Sequence, residues 1–277
     1  MAHNPETSTM IPTQILDTLE HTWNSINSLC ESLTETQWKT LTQLPGWTVQ
    51  DNLSHLIGTE RMLQGLPATE HRATDMSFVK NPIGEFNEHE VDVRRDRSGA
   101  EVFAEWKELS QLRMHTLRNA DEAYFNQEAM TPTGPGTLTD FLHIRILDCW
   151  AHEQDMRNAL HIPGNADGPG AGHTIDRLIR TIPIVVGKRA ATPEGQSVVI
   201  HITGAVQRTV AVTVSDGRAK IVSDTPTNPL SSLSIDSQVF YQVATGRMSG
   251  ADARSHCEIT GDAELAQRIL DNFNMMI

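Results

Sequence analysis

The stretch HIRILDCWAHEQDMRNAL carries four ionisable side chains at intervals of three, four and three residues: Arg145, Asp148, His152 and Asp155. Phe141 and Ala159 extend the series by four in each direction, so all six share one face of a helix. Leu142, Ile146, Trp150 and Leu160 flank that stripe, and ionisable groups among such neighbours need partners before they can be buried. A carboxylate and an imidazole at i and i+4 can both reach one cation, and facing helices of a bundle can supply further ligands. The spacing alone is common in this chain. An acid precedes a histidine by four residues at Asp17/His21, Asp51/His55, Glu85/His89, Asp148/His152 and Asp252/His256. A solvated or hydrogen-bonded polar face is therefore the competing reading of Asp148/His152. For His55, in the middle of PGWTVQDNLSHLIGTE, the competing reading is a surface or hydrogen-bonded core histidine.

Both segments fall in a first half that reads as helical from about Ile11 to Leu160. Ile15, Leu19, Trp23, Ile26, Leu29 and Leu33 recur at helical spacing. After a loop at Pro45-Gly46, Thr48 is expected to cap a second helix, with Asp51 completing a capping box. A third helix is expected from about Gly99 to Arg118 and a fourth from about Leu138 to His161. The residues between Ala68 and Arg97 are polar and irregular, and TPTGPGTLTD reads as a loop. Residues 1–162 thus form a helix bundle. IPGNADGPGAG is then read as a Pro/Gly-rich linker. Residues 173–277 read as a small α+β domain, opening with a helix over about His173 to Lys188. VVIHIT and RTVAVTV alternate as strands, and Asp216-Gly217 signals a hairpin into a third strand, AKIVS. SIDSQVFYQVATGR and ITGDAELAQRILDNF read as helix, short strand, helix. The fold class is α+β.

A chain of 277 residues suits about two domains. With 38% hydrophobic and 21% charged residues it is of ordinary globular composition, and no apolar run is long enough to span a membrane. The net charge of −13 argues against nucleic acid or an anionic membrane as partner, since both need clustered Lys and Arg. MAHNPETSTM has neither a basic nor an apolar export segment. Cys30, Cys149 and Cys257 are far apart and suit reduced thiols in a cytoplasmic protein. There is no phosphate-cradling glycine loop and no G-x-S-x-G elbow. Oligomeric state is not legible.

PGWTVQDNLSHLIGTE and DCWAHEQDMRNAL resemble the two signature segments of the mycothiol-dependent maleylpyruvate isomerase family, part of the wider group of DinB-like metal-binding four-helix bundles. ATGRMSG and ITGDAELAQRIL are similar to that family's second domain, which is itself like sterol carrier proteins. The resemblance covers most of the chain but not Ala68 to Arg97. It implies zinc held by His55, Asp148 and His152, with a position left open for a small-molecule thiol, mycothiol, which would attack an electrophilic substrate. The acidic ligand of the isomerase is usually Glu, so the shorter Asp148 requires a closer helix or an intervening water. The activity implied is isomerisation of a maleylpyruvate-like cis-enone or thiol S-transfer. The rivals are a non-catalytic metal- or hydrophobic-ligand-binding protein and a zinc-water hydrolase.

Several neighbours carry two readings each. Asp155 either orients the site or pairs with a loop, and Arg145 either binds a substrate carboxylate or neutralises Asp148. Arg247 either reaches an anionic substrate or is a solvated turn arginine. Glu60, among apolar positions, either contacts the opposite helix or, the preferred reading, is surface-exposed; Cys149 is read as a buried structural thiol, and Trp23, Trp38, Trp47, Trp106 and Trp150 as bundle core rather than a stacking platform.

Overall fold

A computed structural model describes residues 11–275. The opening MAHNPETSTM, read above as free of an export segment, lies outside the described residues. The chain divides after Gly164 into two compact units.

The first unit is built on α1 (Thr13–Cys30), α2 (Val49–Leu63), α3 (Pro82–Asp92), α4 (Gly99–Asn119) and α5 (Leu138–Leu160). Thr48, Ser98 and Thr137 cap α2, α4 and α5, each in a reciprocal box with Asp51, Glu101 or Asp140. These boxes satisfy orphan N–H groups at the helix starts and fix where each helix begins. Four long helices, α1, α2, α4 and α5, pack into the bundle around Leu19, Trp23, Ile26, Leu53, Leu56, Trp106, Leu117 and Ile146. Side chains of this size contribute about 1.5–3 kcal/mol each on full burial.

Helix α3 corrects the expectation of an irregular segment. Asn81 caps it and Pro82 opens it, but the side chains it buries are Glu88, Glu90 and Val91. Two buried carboxylates need cations, and the chain supplies them just beyond the helix. Arg95 meets Glu88 at 2.7 Å, and Arg94 meets Glu90 at 3.1 Å and Glu105 at 2.7 Å. TPTGPGTLTD also differs from its reading: β1 (Glu128–Thr131) and β2 (Gly134–Thr137) form an antiparallel hairpin that leads into α5.

In the second unit the supposed linker GPGAG is the first turn of α6 (Pro169–Ile179), with Pro169 in a position that needs no N–H. The helix expected to run on to Lys188 stops early. Pro183 cannot continue its hydrogen-bond ladder, and a short turn passes into a π-helical segment over Val185–Arg189. Then follow β3 (Ser197–Thr203), β4 (Arg208–Ser215), β5 (Arg218–Val222), β6 (Ser231–Asp236), α7 (Ser237–Ala244), β7 (Cys257–Gly261) and α8 (Ala263–Asp271). The strand order is β5-β4-β3-β6-β7, antiparallel except for the parallel pair β3 and β6. Asp216 and Gly217 both take positive φ, as the tight turn between β4 and β5 requires. Strand β6 takes the first three residues of the helix expected from Ser234; its inward residues Ser231, Leu233 and Ile235 alternate as a half-buried strand must. The α+β class holds for the chain.

No helix among the described residues is long and apolar enough to cross a membrane.

Candidate metal centre

Helix α2 is buried along most of its length, on polar and apolar sides alike, because α4 and α5 pack beside it and α3 covers it further. That burial carries His55 inward to face the stripe of α5. His55 Nε2 lies 3.1 Å from Asp148 Oδ2, and His152 Nε2 lies 3.6 Å from Asp148 Oδ1. The two imidazole centroids are 4.7 Å apart. One ligand atom from each of His55, Asp148 and His152 falls within 4.8 Å of the others, which makes these three a group that could hold a metal ion. The shorter Asp148 therefore reaches both imidazoles.

Two imidazole nitrogens and one carboxylate oxygen form a donor set that suits zinc, and three protein ligands leave a further position open. The partners around the group fit this role. His55 Nδ1 is buried and meets no hydrogen-bond partner among the described residues. Burial pushes His55 below the usual imidazole value, against the pull of Asp148, and so favours the neutral ring that a metal needs. Burial also opposes charge on His152, but the carboxylates of Asp148 and Asp155 beside it outweigh that and raise the imidazole. The Asp148 carboxyl, which burial alone would raise, is held well below the carboxylate range by His55 and Arg145.

Arg145 is buried behind Asp148. Its Nη1 donates to Asp148 Oδ2, its Nη2 lies 3.3 Å from Cys149 Sγ, and its Nε donates to Glu60 Oε1 at 2.8 Å. Glu60 is only 1% exposed, so its reading as a surface residue is wrong; a second guanidinium, that of Arg113, stands 3.4 Å from its other oxygen. Cys149 is buried as expected, and desolvation pushes its thiol up to about 12. Asp155, fully buried, places Oδ2 3.2 Å from His152 Nδ1 and accepts from Gln43 Nε2 at 2.8 Å. Arg157 turns away from the centre to Glu153 and Ser25. Arg247 belongs to the second unit, where its Nη1 donates to the Thr245 carbonyl at 3.2 Å.

Trp47 departs from its reading as core. It is half-buried, and its ring stands 5.4 Å from that of His55 and 5.9 Å from that of His152. Its indole N–H donates to buried Glu88 at 3.0 Å, so α3, the helix missed in the sequence, holds a wall of the site. Gly46 makes that placement possible. Its φ is +75°, and a Cβ there would lie 2.5 Å from the ring of Phe78. Asn52 also escaped notice. It lies one turn before His55 on the same face of α2, and its Oδ1 is 2.8 Å from His152 Nδ1. That i, i+3 relation to a candidate ligand was the available signal.

Residues 19–157, half of the sequence, match the family described as "Mycothiol maleylpyruvate isomerase N-terminal domain". The chain belongs to that family. It is a family named for an enzyme, and all three groups of the candidate centre lie inside the match. Residues 175–273 match the SCP-2 sterol transfer family. The fold is similar to the crystal structure of the mycothiol-dependent maleylpyruvate isomerase, at 15% identity, a TM-score of 0.55 and coverage of 85% of this chain and 89% of that one. A histidine-to-alanine mutant of that isomerase matches at 14% identity and TM-score 0.55, covering 91% of this chain and 94% of the mutant. No curated protein sequence matches the chain.

Proposed function

We propose that this protein is a zinc-dependent isomerase that uses mycothiol to convert a maleylpyruvate-like cis-enone to its trans isomer. The observation that carries the reading is the convergence of His55, Asp148 and His152 from two helices in a chain of this family. A divalent cation bound there supplies the Lewis acidity that favours a small-molecule thiol as its thiolate. The chain's own residues do the rest by holding charge and shape. Burial favours a neutral imidazole at His55, Asp148 offers a carboxylate kept ionised by its surroundings, and His152 gives up its proton when it binds the cation. Arg145, pinned by Glu60, holds one oxygen of Asp148, and Asp155 orients His152. Trp47 walls the site.

In the reaction the thiolate sulfur bonds to one carbon of the conjugated double bond, and the π electrons move onto the carbonyl oxygen. Rotation about the new single bond follows. The electron pair then returns to re-form the double bond, now trans, and the thiolate leaves unchanged. Transfer of the thiol to an electrophile shares the first step and ends with the adduct.

Metal analysis of protein purified without added zinc tests the centre: about one equivalent is expected by the three-ligand assignment, and none in His152→Ala. Activity on maleylpyruvate with mycothiol, glutathione, cysteine or no thiol tests the chemistry. Conversion that proceeds equally well with no thiol overturns the reading and favours a hydrolytic centre. A stable thiol adduct in place of the trans product favours transfer.

A further inference from the structure

We infer that Asn52 is a positioning residue that fixes His152 in the Nδ1–H tautomer and so presents the bare Nε2 to the candidate metal centre. The inference rests on the metal-centre reading above and adds a residue to it.

Asn52 is fully buried on α2. Its amide nitrogen carries two hydrogens, and two acceptors face it: the Thr48 carbonyl at 2.9 Å and Thr42 Oγ1 at 3.3 Å. With both hydrogens engaged, the amide cannot turn its nitrogen toward α5. The oxygen must face His152 Nδ1, and it does so at 2.8 Å. An amide oxygen only accepts, so the hydrogen of this contact belongs to the imidazole. The Asp155 carboxylate presents a second acceptor to the same ring nitrogen at 3.2 Å. A neutral imidazole has one N–H. In the opposite tautomer the Nδ1 lone pair would meet two oxygens, which repel it. The ring is therefore set with Nε2 free, on the side of Asp148.

Both acceptors are in turn held by the loop that ends in Trp47. Thr42 Oγ1 takes the Asn52 hydrogen while donating to the Trp47 carbonyl at 2.9 Å, and Gln43 holds the other oxygen of Asp155 at 2.8 Å. Thr42 and Gln43 are neighbours in sequence, so one short segment aligns the amide and the carboxylate together. The wall of the site and the tautomer of a ligand are thus parts of one hydrogen-bond chain.

The test uses the full chain labelled with 15N, metal-free, at a pH above the imidazole range, with the His152 signals identified by their loss in His152→Gln. Long-range 1H–15N correlations are expected to show hydrogen on Nδ1 in the wild type and a mixture of tautomers in Asn52→Leu. Loss of an outer hydrogen bond to a metal-binding histidine typically weakens affinity about 10–100-fold, which is the expected change in zinc Kd for Asn52→Leu. Asn52→Asp keeps an acceptor oxygen toward Nδ1 but turns its other oxygen against the Thr48 carbonyl, so it is expected to keep the Nδ1–H tautomer and to give a zinc Kd between those of the wild type and Asn52→Leu. Hydrogen on Nε2 in the wild type overturns the inference whatever the variants do, including a variant that fails to fold. So does an equal loss of affinity in both variants with the His152 tautomer unchanged. If the wild type binds no zinc, the functional reading fails, and the tautomer in the metal-free chain still decides this one.

Discussion

Replacing Glu60 by Ala should unsettle the bundle more than any surface charge does. The Glu60 carboxylate is 1% exposed and stands 2.8 Å from Arg145 Nε and 3.4 Å from Arg113 Nε, both guanidiniums being as deeply buried as it is. Its removal leaves two desolvated cations with less to balance them. Breaking a buried pair from one side costs about 3–5 kcal/mol. At roughly 2–4 °C per kcal/mol for a chain of this size, the expected fall in Tm is about 6–20 °C. Glu60→Gln keeps an acceptor oxygen and should fall between Ala and wild type. The assay is equilibrium urea unfolding followed by tryptophan fluorescence. All five tryptophans precede Gly164, so the signal reports the first unit alone. Glu20→Ala is the control, because Glu20 pairs with Arg118 at 2.6 Å across an exposed surface and should cost less than about 1 kcal/mol. A Glu60→Ala loss no greater than that of the control would refute the argument that this carboxylate is what lets the two arginines be buried.

Zinc affinity should depend on pH in two stages. A proton on either imidazole excludes the cation; His152, raised above its usual value, takes one first, and His55, pushed down by burial, takes one at lower pH. Affinity is then expected to fall about tenfold per pH unit at first and toward a hundredfold per unit in more acid solution. Competition against a chromophoric chelator from about pH 8 to about pH 5 measures this, and a flat profile contradicts the ligand assignment. Zinc should also alter the fluorescence of Trp47, whose ring is 5.4 Å from that of His55. Trp47→Phe should abolish the change while retaining the metal, and an undiminished change in that variant would place the reporter elsewhere.

What could be read in the sequence follows from which forces leave a pattern. Asp148 and His152 stand at helical spacing, a spacing common in this chain, and His55 sits in a recognisable motif, so the resemblance carried by the two segments is what pointed to the three residues that come together in the candidate centre. Glu60 and Asn52 were not marked out, because nothing local distinguishes a polar side chain that faces a partner across the bundle from one that faces water. Helix α3 was hidden for a related reason. Its buried face is Glu88 and Glu90 meeting Arg95 and Arg94, a seam of charge to which hydrophobic periodicity is blind, although the Asn81-Pro82 start was there to be seen. Trp47 was assigned to the core on residue type alone, whereas its position is set by Gly46 and Glu88. Strand β6 owes its place to parallel pairing with β3, a contact between distant parts of the chain that its serine-rich sequence does not announce.

The groups of the candidate centre are divided between α2 and α5, with His55 and Asp148 93 positions apart in the sequence. Neither helix alone can assemble the trio, so a cation taken up there cross-links the two without a covalent bond. At a free concentration of about one hundred times its Kd such a cross-link adds about 2.7 kcal/mol to the folded form. The trace metal in the surroundings would then set how long each molecule of this protein lasts, quite apart from how fast it turns over.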